Sequence, residues 1–96
     1  MVQVIVRLKV KDFDTWHSLY ISADSKKFRE SYGLQRYRIF CAENDPNDIT
    51  MIYDWNDIER ARTFAQSPQL QEMIKRSGVI EGPAVYLFKD SGGATN

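Results

Sequence analysis

Acid–base chemistry needs a group that exchanges a proton near neutral pH and a second group that orients the ligand or a water. His17, the chain's one histidine, and Asp24 supply such a pair within a single helical stretch. On a wheel of about 100° per residue with Phe13 at the origin, Trp16, Tyr20 and Phe28 fall within about 60° of it and mark the inward face. His17, Asp24, Lys27 and Ser31 fall on the same side, whereas Thr15, Ser18, Ser22, Ser25, Lys26 and Arg29 fall elsewhere. Charges belong on a solvated face, and burying an unpaired one costs at least several kcal/mol. Polar groups inside an apolar stripe therefore point to partners, water or a ligand-filled gap, with His17 and Asp24 as its catalytic candidates. The competing reading makes His17 a helix-edge residue and Asp24 a partner of Lys27 or of a strand arginine. An exposed pair of that kind contributes only about 0.2–0.5 kcal/mol and would not account for inward placement.

Tyr20 and Trp55 are candidate ligand contacts, weighed against ordinary core packing, in which aromatics dominate the buried area of any small domain. Tyr37 carries the same ambiguity. Arg36 and Arg38 share one face of a strand, with Arg7 on a neighbouring one, and could clamp an anionic ligand through bidentate hydrogen bonds. Their alternatives are a solvated edge or ion pairs across a dimer. Asp12, Asp14, Asn56 and Asp57 suit helix caps. The lone Cys41 and single histidine cannot form an internal disulfide or a tetrahedral zinc site within one chain. No phosphate-cradling glycine loop and no trustworthy Ser-His-Asp spacing is present, so neither a metal nor another cofactor is expected.

Alternation of Val2, Val4, Val6, Leu8 and Val10 with Gln3, Ile5, Arg7 and Lys9 predicts a first strand with one apolar face. A helix follows from about residue 13 to 31, stopped by Gly33. Residues 34 to 41 and 49 to 55 read as a hairpin around the turn cluster Asn44-Asp45-Pro46-Asn47-Asp48. Ser67-Pro68 divides the next helical stretch into pieces at 57 to 66 and 68 to 77, since serine suits an N-cap and proline the first helical position. Ala84-Val85-Tyr86-Leu87-Phe88 is the last strand, and residues 90 to 96 form a polar tail expected to be disordered. The domain thus spans residues 1 to 89. Its order is β-α-β-β-α-β, an α+β ferredoxin-like arrangement whose right-handed crossovers place the helices on one face of a four-stranded antiparallel sheet. The other face, with Tyr37, Ile39, Tyr53, Tyr86 or their neighbours, would expose an apolar patch, and a second copy of the chain is its simplest cover.

Ninety-six residues make one domain with one core. Thirteen basic and thirteen acidic residues leave no net charge, so the electrostatic footprint of a nucleic-acid binder is missing. No basic region precedes the apolar start and no run is long enough to cross a bilayer. A reduced, cytoplasmic setting and no membrane partner are expected.

Three ligand-handling families share this element order. Thr50-Met51-Ile52-Tyr53-Asp54-Trp55 lacks the basic-glycine-aromatic start of an RNA-recognition motif. The turn Lys11-Asp12-Phe13-Asp14 lacks the glycine of the amino-acid-sensing domains. The order and spacing of four features instead resemble the dimeric α+β barrel superfamily, in particular the antibiotic-biosynthesis-monooxygenase-like proteins. These are Val10-Lys11-Asp12-Phe13 followed by Trp16; Asp45-Pro46-Asn47; Tyr53-Asp54-Trp55; and Phe64 to Leu70 ahead of Gly78-Val79 and Gly82-Pro83. The resemblance covers about residues 2 to 89. It implies a homodimer with a ligand pocket between helices and sheet, and work on a hydrophobic organic molecule, as in a cofactor-independent oxygenase. Haem degradation, another activity of the superfamily, uses a strand-one Asn and a helix-two His; position 3 is Gln, and residues 57 to 77 contain no His. The contrasting class is a non-catalytic dimerisation or sensor module whose gap is filled by side chains.

Overall fold

The computed structural model describes residues 2 to 95. Its elements are β1 (Val2–Val10), α1 (Phe13–Tyr20), α2 (Ala23–Ser31), β2 (Leu34–Ala42), β3 (Asp45–Trp55), α3 (Ile58–Gln66), α4 (Pro68–Arg76) and β4 (Val79–Lys89). The strands form one antiparallel sheet in the order β2-β3-β1-β4. The fold is thus α+β and ferredoxin-like, with each crossover made by a pair of helices. Period-two alternation sends Val4, Val6, Leu8 and Val10 of β1 into the core with Ile49, Met51, Tyr53 and Trp55 of β3, where Trp16, Phe28, Ala61 and Phe64 from the helices meet them.

The first crossover departs from the continuous helix expected over residues 13 to 31. Asp12 caps α1, its carboxylate accepting from the Thr15 amide at 2.9 Å, and the helix stops at Tyr20. Ser22 then caps a second helix by accepting from the Ser25 amide at 3.3 Å. The last carbonyls of α1 are taken by side chains of α2: the Ser25 hydroxyl donates to Leu19 O at 2.9 Å, and Arg29 Nη1 donates to Tyr20 O at 2.8 Å. A serine spacing that offers a cap, and two side chains that satisfy the orphaned carbonyls, make the break favourable. The break also shifts the phase of every residue beyond it.

The second crossover divides at Ser67 as expected. Its hydroxyl accepts from the Leu70 amide at 3.2 Å, with Pro68 in the first turn of α4. Asp57, not Asn56, caps α3, accepting from Glu59 N at 2.8 Å.

Two strands run longer than expected. Asp45 to Asp48 belong to β3 rather than to a wide turn, with Asn47 Oδ1 accepting from the Phe13 amide at 2.8 Å. β4 begins at Val79 and carries Gly82-Pro83 inside it, where its register against β1 shifts between Arg7 and Lys9. Gly82 has φ +84°, and a Cβ there would lie 2.8 Å from the Arg7 carbonyl oxygen, so the close approach of the two strands requires glycine. Residues 90 to 95 are exposed and take no helix or strand.

The uncovered face also differs from expectation. Tyr37 pairs with Tyr53 and Ile39 with Met51, and Tyr53 and Met51 are buried under the helices. Tyr37, Ile39 and Tyr53 therefore belong to the helix side, because residues paired across a ladder share a face. The open face carries their neighbours. Ile5 pairs with both Ile52 and Tyr86, and Gln3 with both Asp54 and Phe88. Tyr86 and Phe88 are each 50% exposed, with ring centroids 6.5 Å apart.

Candidate functional site

Between the helices and the sheet lies an open cavity of about 950 Å³. Its floor is the core face of the sheet, with Val4, Val6 and Leu8 of β1, Met51, Tyr53 and Trp55 of β3, and Val85 of β4. Trp16, Tyr20 and Phe28 wall one side, and Leu70, Met73 and Ile74 of α4 wall the other. The cavity exists because α4 stands off the sheet: its apolar side chains are only half-buried and none is fully buried. Exposed Asp24, Lys27 and Ser31 of α2 and Gln69, Glu72 and Arg76 of α4 form the rim. An apolar interior of several hundred Å³ with a few polar groups is the usual form of a small-molecule site.

The structure brings Tyr20, Trp55 and Asp24 to this cavity, with Asp24 at its rim. Lys27 and Ser31 join Asp24 there, so the polar stripe expected on the inward face runs along the opening. Asp24 does not pair with Lys27; the ion pair on this helix is Lys26 with Glu30 at 3.9 Å. His17 is placed differently from expectation. It is half-buried, stacked on Phe13 with centroids 5.2 Å apart, and does not line the cavity. The inward direction of α1 lies between Trp16 and Tyr20, and His17 is at the edge of that arc. Taking Phe13 as the wheel's origin centred the stripe too far toward the histidine.

Arg36 and Arg38 lie on the opposite face of the sheet from Trp55 and Tyr20. Arg36 Nε is ion-paired with Asp54, and the Arg38 guanidinium sits 4.8 Å from the Phe40 ring centroid. A ligand in the cavity does not meet them; Tyr37, between them in sequence, faces the helices instead. The Arg36 hydrogen bond holds the Asp54 carboxyl below the usual carboxylate range. Arg7, on the same face, pairs with Asp48 at 2.9 Å.

Trp55 is wholly buried, and its Nε1 donates to the Tyr32 carbonyl at 2.7 Å. Its ring meets Phe64 and Tyr53 at centroid distances of 5.0 and 5.8 Å. Tyr53 was expected on the open face and is instead the polar centre of the cavity. The Tyr20 hydroxyl donates to Tyr53 Oη at 2.7 Å, and the Tyr53 hydroxyl donates onward to the Met51 sulfur at 3.4 Å. Burial pushes both phenols up, Tyr53 to about 12 and Tyr20 further, each opposed by the charge of Arg29. Both hydroxyls therefore remain protonated across the physiological range.

Arg29 was also placed outside by the continuous wheel. The new phase of α2 turns Ser25, Phe28 and Arg29 inward, at the i, i+3, i+4 spacing of a helix face. Arg29 is only 4% exposed, with its guanidinium 3.9 Å from the Tyr20 ring centroid and 5.2 Å from that of Tyr37. The signal that would have located it is Ser22-Ala23-Asp24-Ser25, a serine cap able to restart a helix. Among the described residues no group of three His, Cys, Asp or Glu side chains is placed to hold a metal ion. Nor, among the described residues, is any helix long and apolar enough to cross a membrane.

No protein-family model matches the chain, and no curated protein is similar to it. Solved structures are similar over nearly the whole length. The cofactor-independent oxygenase SnoaB of Streptomyces nogalater superimposes with TM-score 0.75 at 17% identity, covering 99% of this chain and 97% of that one. A monooxygenase of Streptomyces coelicolor, solved with the ligand nanaomycin D, gives TM-score 0.74 at 16% identity over 99% of this chain and 91% of that one. An antibiotic biosynthesis monooxygenase gives 0.68 at 17% identity over 96% and 100%. The chain thus shares its α+β fold with structures described as antibiotic biosynthesis monooxygenases and a cofactor-independent oxygenase.

Proposed function

We propose that the protein is a homodimeric small-molecule-binding protein that acts on a hydrophobic organic substrate held between its helices and its sheet, in the manner of a cofactor-independent oxygenase. The observation that carries this reading is the 950 Å³ cavity, apolar on its floor and walls and polar at its rim. Two of the similar structures are described as a cofactor-independent oxygenase and a ligand-bound monooxygenase, which favours the same class of work here. Trp55 and Tyr20 contact the substrate, and Asp24 orients it or a water at the rim. Dimerisation is supported by the open sheet face, where Ile5, Ile52, Tyr86 and Phe88 form an apolar patch of the kind that seeks a partner.

Trp16 and Trp55 are the chain's only tryptophans, and both line the cavity, so intrinsic fluorescence reports on its contents. Titration with a nitronaphthalene, which quenches indole emission, is expected to saturate at one probe per chain. Ala65→Trp, at a half-buried lining position on α3, fills the space and abolishes the saturable phase. That variant is followed by calorimetry with the same probe, because it adds an indole. His17→Ala leaves the probe's affinity unchanged, since the ring stands outside the lining. Linear, unsaturable quenching in the parent protein would contradict the reading.

A further inference from the structure

Between α2 and the first residues of the edge strand β2 lies a second, smaller cavity of about 270 Å³, which the reading of the main cavity does not use. We propose that it binds a phosphate group, held by Arg29 together with Lys26 and Arg36.

Arg29 is the anchor. It is 4% exposed, and among the described residues no carboxylate lies within 4.0 Å of it. Of its N–H donors only one, on Nη1, is engaged, with the Tyr20 carbonyl at 2.8 Å. Among the described residues no nitrogen of a buried side chain is both sealed from solvent and without a hydrogen-bond partner. Nε and Nη2 therefore open onto the two cavities that Arg29 lines. The rings of Tyr20 and Tyr37, with centroids 3.9 and 5.2 Å from the guanidinium carbon, stabilise the cation in part but bring no net charge. A buried cation with unspent donors and no counter-charge favours an anion within reach.

Charge selects the smaller cavity. The floor and walls of the main one are apolar, and a strongly hydrated anion would lose its water there without recompense. The smaller one adds Lys26 and Arg36 to Arg29, against one carboxylate, that of Glu30. Lys26 meets Glu30 at 3.9 Å across exposed surface, which offsets its charge only weakly. Arg36 gives its Nε to Asp54 and makes no other hydrogen bond among the described residues, so its Nη groups remain available. Three cationic side chains call for an anion with more acceptor oxygens than the pair on a carboxylate, and a phosphate group supplies them with more charge. Nε and Nη2 share one edge of the Arg29 guanidinium, the edge that takes two phosphate oxygens side by side.

The test is calorimetric titration with inorganic phosphate at constant ionic strength, set with chloride so that general screening is unchanged. Saturation at one phosphate per chain is expected. Lys26→Glu should weaken binding about tenfold and Arg36→Gln about threefold, whereas Glu30→Gln, which removes the opposing charge, should tighten it about threefold. Arg62→Gln, an equal loss of charge on α3 away from the cavity, should leave it unchanged. Arg29→Met should abolish binding; should that variant not fold, the Lys26, Glu30 and Arg36 variants decide the matter alone. Methyl phosphate separates two sources of the same group: affinity equal to that of inorganic phosphate supports a phosphomonoester, and much weaker binding supports the free ion. Absence of saturation, acetate binding as tightly as phosphate, or an affinity moved by Arg62→Gln as much as by Arg36→Gln overturns the proposal. Displacement of nitronaphthalene by phosphate would put the anion in the main cavity and overturn it too, with the ligand reading of that cavity left standing.

Discussion

Trp55→Ala is expected to lower the stability of the domain by about 3–5 kcal/mol, a large part of the roughly 5–15 kcal/mol typical of a domain. The side chain is wholly buried, its ring meets Phe64 and Tyr53, and its indole N–H donates to the Tyr32 carbonyl at 2.7 Å. Truncation enlarges the existing cavity and leaves that carbonyl without its donor. Trp55→Phe separates the two costs. It keeps most of the apolar volume, loses the hydrogen bond, and is expected to cost less than half as much. Urea unfolding followed by circular dichroism measures both. A loss of under about 1 kcal/mol in Trp55→Ala would mean that the helices do not pack on β3 as described.

Tyr86→Glu is expected to dissociate the proposed dimer. Tyr86 and Phe88 project from β4 beside Ile5 and Ile52, on the sheet face that carries no helix. A carboxylate placed at the centre of such a patch would have to be desolvated on association, an effect of about 2 kcal/mol or more, or roughly 30-fold in Kd. Arg7, one step from Ile5 on the same face, is already paired with Asp48 at 2.9 Å, and Arg36 is paired with Asp54, so the variant glutamate meets no unpaired guanidinium beside Tyr86. Sedimentation velocity at tens of micromolar gives the answer. The parent chain is expected to sediment at twice 11.2 kDa, Tyr86→Glu at the monomer mass, and Lys26→Glu, on the exposed side of α2, as the parent does. A parent chain that sediments as a monomer across that range contradicts the dimer.

Much of the fold was legible because its signals are local. Alternation in β1, the Ser67-Pro68 division and the helix-stopping glycines each rest on one or a few neighbouring residues, and each element stands where those residues placed it. The errors arose where a local signal competed with a longer pattern. The apolar spacing of Phe13, Trp16, Tyr20 and Phe28 fits one continuous helix, yet Ser22 restarts the helix and the carbonyls freed at Leu19 and Tyr20 are claimed by Ser25 and Arg29. One missed cap thus displaced Arg29 from the site, and an origin taken at Phe13 brought His17 too close to it. Tyr53 was misplaced for a different reason. β3 and its partner strands carry apolar residues on both faces, so alternation alone cannot choose the helix side, and only the register that pairs Tyr53 with Val4 and Tyr37 decides it. Arg36 and Arg38 were correctly assigned to one face, but their distance from Trp55 follows from that same choice. The cavity had no sequence signal beyond the polar stripe of Asp24, Lys27 and Ser31, because it depends on how far α4 stands from the sheet.

That separation is the physical basis of the proposed activity, and a crystal structure of the protein grown with nitronaphthalene tests it most directly. Electron density for the probe is expected between α4 and the sheet, against Trp55 and Tyr53, with Leu70, Met73 and Ile74 closing over it and the rim of Asp24 and Lys27 in place. Density elsewhere, or α4 collapsed onto Val6, Leu8 and Val85 with no space for the probe, would contradict the cavity and the function built on it.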